Sequence, residues 1–138
     1  MYTRILAAID GTHRTAQVLD AAMRLAQASG GTVRVLHIEP AEAAFDASGD
    51  TEDDESAHQI TQAAVTRLTA SGVTALASVA KAPDCDIATV IVTAAADHSA
   101  DLIIVGPHHR RGLAGWVAGS VSEGVVRLEK QAAVLLVP

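Results

Sequence analysis

The sequence predicts an α/β protein with an open parallel sheet, helices on both faces and a Rossmann-like winding. Three observations carry this expectation. Short apolar runs alternate with longer segments of helical period along all 138 residues, and such alternation calls for parallel strands joined by crossover helices. The apolar half of the composition is aliphatic, with 28 alanines beside three aromatics, Tyr2, Phe45 and Trp116, which suits helices packed closely on a sheet. The length is that of a single domain, residues 1–138, and no linker or repeat divides it.

Residues 3–9 (TRILAAI) form an apolar strand that stops at Asp10-Gly11, a turn pair. From Thr12 the period becomes helical. Val18, Leu19, Ala22, Leu25 and Ala26 share one face, and Ser29-Gly30-Gly31 ends the helix. Residues 32–38 (TVRVLHI) are the second strand, closed by Pro40. Residues 41–55 show no sustained period and read as an acidic, mobile loop. A second helix is expected from about Ser56 to Ser71, with Ile60, Ala64 and Leu68 on one face and Gly72 beyond it. Residues 73–80 (VTALASVA) are the third strand. Pro83 opens a third helix bearing Ile87, Val90, Ile91, Ala94 and Ala95. The fourth strand, Asp101–Val105, is apolar enough to be buried on both sides. A Gly-rich, basic loop over 106–118 leads to a fourth helix from Ser120 to about Lys130, and Ala133–Val137 is the last strand.

The net charge of −6 comes from 10 basic and 16 acidic residues, and eight of the acids lie between Glu39 and Glu55. The remainder of the chain is close to neutral. Neither part offers the basic face that duplex nucleic acid requires, and three aromatics are too few for base-stacking platforms. One cysteine, Cys85, excludes an intrachain disulfide. The opening run enters a strand with no cleavage pattern, and no apolar run approaches the roughly 18–20 residues that span a bilayer. A cytoplasmic protein with no membrane insertion is expected.

In an open parallel sheet, ligands bind beyond the carboxyl ends of the strands, where the winding reverses. Two strand ends here carry suitable sequence. One is Asp10-Gly11-Thr12. The other runs from Gly106 through His108, His109, Arg110 and Arg111 to Gly119-Ser120, with four glycines, into a helix N-terminus. Glycines admit a ligand close to the backbone, and free amides with the helix dipole favour an anion such as phosphate. The structural alternative is a connecting loop before a capped helix, since Ser120-Val-Ser-Glu123 fits a capping box.

On these residues the chain resembles the universal stress protein family over nearly its whole length. The resemblance is carried by RILAAIDGT at the start, VRVLHIEP, the stretch Pro83 to Ile87, DLIIVG and the terminal AAVLLVP. The most specific element is the glycine pattern of the nucleotide-binding members: Gly, two residues, Gly, nine residues, Gly-Ser. Gly106 and Gly119-Ser120 keep that spacing, while His109 stands where the second glycine belongs. The resemblance implies a five-stranded sheet of order 3-2-1-4-5 and a homodimer formed through the last strand, 133–137. It also implies an adenine-nucleotide site for ATP or AMP, with Mg²⁺ if the ligand is a triphosphate. In that site Asp10 meets the ribose or base edge, and Ala8 and Ile38 line the adenine pocket. Val105 and Gly106 pass beneath the ribose, and the amides of Gly119, Ser120 and Val121 hold phosphates, with His109 beside them. Ala8 stands where many nucleotide-binding members have Pro. The implied role is a small stress-response regulator. The alternative is a family member that binds no nucleotide and acts through dimerisation and contacts with a regulatory protein partner.

Other residues carry less. Lys81, at a strand end, reads first as a solvated surface lysine and second as a phosphate ligand. His13, His37, His58 and His98 lie on different elements without metal-ligand spacing; His37, inside a strand, is expected to be packed with one ring nitrogen bonded. Cys85 has no resolving partner. The chain shows no GxxxxGK[ST], GxGxxG or nucleophile elbow, and a phosphoacceptor receiver domain would need acids that the first and third strand ends lack. No catalytic residue and no metal site are expected. Slow incidental ATP hydrolysis is compatible with this reading, which is of a binding protein and not an enzyme.

Overall fold

The computed structural model describes residues 1–12, 14–40, 50–106 and 121–138. The chain runs β1 (Arg4–Ile9), α1 (Thr15–Ser29), β2 (Thr32–Pro40), α2 (Asp50–Ala70), β3 (Thr74–Ala82), α3 (Ile87–Asp97), β4 (Leu102–Val105), α4 (Val121–Leu128) and β5 (Ala133–Leu136). All strand pairings are parallel, in the order β3-β2-β1-β4-β5. The strand order and fold class expected from the sequence are those found.

Alternation along the strands divides the core in two. Ile5, Ala7 and Ile9 of β1, with Val33 and Val35 of β2 and Ile104 of β4, pack against Val18, Leu19, Ala22 and Ala26 of α1 and Ala64 and Leu68 of α2. The intervening residues Leu6, Leu36, Ile38, Ile103 and Val105 face the other way, onto Ile87, Ile91 and Ala95 of α3 and Val125 of α4. A period of two with both faces covered is why β4 is apolar throughout, and all four of its residues are buried. The small side chains let helices approach closely. At Gly124 of α4 a Cβ would come within 2.7 Å of the Ala88 Cβ of α3.

Three element boundaries need correction. α2 begins at Asp50, so residues 50–55 belong to a helix and not to the acidic loop. Five of those six residues are acidic. Carboxylates favour the positive end of a helix, so an acidic run without an apolar period can still open one. α3 does not open at Pro83. Pro83 is extended, with φ −61° and ψ 151°, and precedes a 3₁₀ turn over Asp84–Asp86, so the α-helix starts at Ile87. α4 closes at Leu128 and not near Lys130: the Glu129 carboxylate accepts from the amides of Lys130, Gln131 and Ala132 at 2.7–2.9 Å and turns the chain into β5.

Candidate functional site

The chain winds from β1 outward through β2 to β3, then crosses back over the sheet to β4 and β5. β1 and β4 are therefore the strands between which the winding reverses. They pair in register through Ile5–Leu102, Leu6–Ile103 and Ala7–Ile104. The next residues, Ala8 and Val105, reach the carboxyl edge together, the place where open parallel sheets bind their ligands.

Four of the residues expected at this site converge on one face. Ala8, Ile38, Val105 and Val121 all belong to, or pack against, the cluster under α3 and α4. Val105 and Ile38 are buried, whereas Ala8 and Val121 are half-buried. All four are aliphatic.

Asp10 follows β1 directly. Its Oδ1 accepts from the Thr12 amide at 2.9 Å and from the Thr12 hydroxyl at 2.6 Å, an Asx turn that fixes the strand-to-helix corner. One carboxylate oxygen is thus already engaged by its own loop. Gly11 takes φ +77°, and a Cβ there would lie 3.0 Å from Cδ1 of Ile60, so this corner is built for glycine and is backed by α2. Beneath it, buried His37 places Nδ1 3.2 Å from the Ile9 carbonyl, the packed, singly bonded histidine that was expected.

Gly106 follows β4. A Cβ there would meet Val18 Cγ2 at 3.5 Å, the Val137 carbonyl at 3.7 Å and Arg14 Cβ at 3.9 Å, so that side of Gly106 adjoins the start of α1 and the end of β5. His109, Gly119 and Ser120 lie outside the described residues, as does the Gly-rich loop over 107–118.

Lys81 is exposed, the surface lysine that its sequence position suggests first. It stands opposite Glu39 in the β2–β3 register, and its Nζ lies 3.9 Å from Oε2 of that largely buried acid. Arg14 was missed by the sequence reading. It holds the N-cap position of α1 without a side-chain cap bond; its amide donates to the Thr12 hydroxyl at 3.3 Å and its Cβ lies beside Gly106. The signal was its distance of four residues from Asp10.

The Universal stress protein family profile matches residues 1–138. The chain belongs to the universal stress protein family. Solved structures of similar fold are universal stress proteins as well. One from Burkholderia pseudomallei is 24% identical, with a TM-score of 0.78, and the match covers 99% of this chain and 96% of that one. A universal stress protein in complex with cAMP is 23% identical, with a TM-score of 0.77 and the same coverage of 99% and 96%. One from Archaeoglobus fulgidus in complex with dAMP is 22% identical, with a TM-score of 0.75, covering 99% of this chain and 98% of that one. A search of curated proteins finds no significant match. As a universal stress protein the chain has its family's sheet and switch point. No helix among the described residues is long and apolar enough to cross a membrane, and no group of three metal-ligating side chains gathers among them.

Proposed function

We propose that this universal stress protein binds an adenine nucleotide, ATP or AMP, in the crevice between β1 and β4, and that occupancy regulates its contacts with a protein partner. The observation that carries the reading is the convergence of Ala8, Ile38, Val105 and Val121 on one face beside Asp10 at the switch point. Two similar folds were solved with cAMP and with dAMP, which supports the ligand class. The four aliphatic residues take the base, and the Asp10 corner lies next to the sugar. Arg14, with the retained Gly106 and Gly119-Ser120 spacing, serves the phosphates, with Mg²⁺ accompanying a triphosphate. The reading is of a cytoplasmic homodimer joined through β5, whose Leu136 is 51% exposed at the sheet edge.

A thermal shift with ATP and Mg²⁺ tests the site. At about a hundredfold excess over Kd, ATP stabilises the native state by about 2.7 kcal/mol, which raises Tm by several degrees. No shift at millimolar ATP rejects the proposal. His109 in the glycine position favours the second reading, a family member that binds no nucleotide and works through dimer and partner contacts. His109→Gly separates the cases. Tighter binding shows the imidazole obstructing the phosphates, and weaker binding shows it holding them. No binding by either form supports the second reading.

A further inference from the structure

β3 is an edge strand nine residues long. Alternate residues of an edge strand turn their N–H and C=O groups away from the sheet, and natural edges of this length are normally shortened, bulged or charged. This one reads TALASVAKA, with its first charge at Lys81. Leu76 is 57% and Val79 41% exposed, one on each face.

On the α3 face, the amino-terminal part of β2 and β3 has no helix over it among the described residues. A groove of about 230 Å³ lies there, with Thr32, Thr74 and Leu76 on its floor and Arg4, Arg34 and His98 around it. Arg34 reaches across β2, and its Nη1 donates to the Ser78 hydroxyl of β3 at 3.2 Å, so the guanidinium is held over the edge strand beside Leu76. Neither Arg4 nor Arg34 has an acidic partner among the described residues. Asp101, which follows the groove residue Ala100, is turned to the amides of Thr3 and Arg4. Among the described residues, a backbone edge without a strand partner, an exposed apolar side chain and two arginines without acidic partners therefore coincide at one strand.

We infer that β3 is a docking edge for an extended acidic segment of a partner protein, added as a sixth strand. Main-chain bonds to β3 supply the pairing. Alternate side chains of the added strand face the groove, where a carboxylate meets the free N–H groups of Arg34 and an apolar neighbour covers Leu76. Arg4 forms the cationic rear wall, with His98 beside it. A second copy of this chain fits less well, because the outward-facing sequence of β3 is neutral and would leave Arg34 and Arg4 unmatched.

The probe is a fluorescein-labelled seven-residue peptide alternating Val and Glu, titrated against the full chain by anisotropy. Binding is expected, weakening as salt rises. The same peptide with Lys for Glu, or with N-methyl groups on alternate amides, is expected not to bind. Arg34→Gln is expected to weaken binding about tenfold, and ¹⁵N shift changes should concentrate on Thr74–Ala80. Arg34 and Leu76 lie outside the closed core, so melting curves of R34Q and L76S should match the parent chain. Equal binding of the Lys peptide, no effect of R34Q, or no binding of the Glu peptide overturns the inference. So does an oligomer that falls apart in L76D by sedimentation, which would make this edge an interface between copies.

Discussion

At Gly124 the helices α3 and α4 touch without room for a methyl group, since a Cβ would fall 2.7 Å from that of Ala88. Overpacking of this kind costs about 1–3 kcal/mol, and the higher helix propensity of Ala recovers at most about 1 kcal/mol of it. Gly124→Ala is therefore expected to lose about 1–2 kcal/mol in urea denaturation. Adding Ala88→Gly should recover most of the clash and isolate the contact as its source. A single variant as stable as the parent would mean that the helices separate at no cost. Two carboxylates make a second prediction. Burial raises the pKa of Asp101, but bonds from the Thr3 and Arg4 amides and the Thr3 hydroxyl outweigh it and hold the group below its ordinary 3.8. Glu129 is likewise raised by burial and lowered overall, below 4.5, by the amides of Ala132, Gln131 and Lys130. A folded value below the unfolded one stabilises at higher pH, so this contribution is complete above the ordinary values and fades as pH falls through the folded ones. Urea midpoints should be flat from pH 7 to about 5 and fall from about pH 4.5 downward, less steeply in the D101N/E129Q double variant. An unchanged slope in that variant would assign the acid sensitivity to other groups.

Elements were legible wherever their period was long and their ends carried glycine. α1 shows this: its apolar stripe and Gly30, at φ 70°, are both plain in the sequence. The part that escaped depends on which strands become neighbours. The pairing of Lys81 with Glu39 follows from the β2–β3 register, which no local pattern encodes. The proximity of Arg14 to Gly106 follows from β1 lying beside β4. Five of the nine positions expected at the site lay in strands, turns or helix starts whose type the periodicity had already settled, and Asp10 was found at the corner where an Asx turn needs it. The exposed flank of β3 was invisible for the converse reason, since VTALASVA reads the same for an inner strand as for an edge. β5 carries the element-scale prediction. If the homodimer forms through its edge, Leu136→Lys places a cation where two copies of that strand meet. Such a pair of charges is destabilising, and sedimentation at micromolar concentration should show a monomer with an unchanged melting curve. A dimer that persists in L136K excludes pairing through β5.

Across the whole molecule the charge is divided by position. In the chain, the acids from Glu42 to Glu55 come after β2, whose carboxyl end is the end of the sheet at which the proposed site lies. The start of α2, with five acids in its first six residues, follows that end in the chain. Because residues 50–55 are the first turns of α2, deleting them would damage a helix, and neutralising them is the cleaner perturbation. Replacing Asp50, Asp53 and Asp54 by Asn and Glu52 and Glu55 by Gln moves the net charge from −6 to −1. Each surface pair separated by about a Debye length contributes a few tenths of a kcal/mol, and several such terms act on a polyanion together. ATP affinity should rise about three- to tenfold at roughly 0.02 M salt, and the gain should vanish near 1 M, where the screening length is about 3 Å. The helix loses favourable charge at its positive end, so Tm should fall slightly while affinity improves, the reverse of what a generally stabilised fold would give. Adenosine, which is uncharged, is the internal control. Its affinity should not change, and an equal gain for adenosine and ATP would place the effect in the shape of the crevice and not in the field around it.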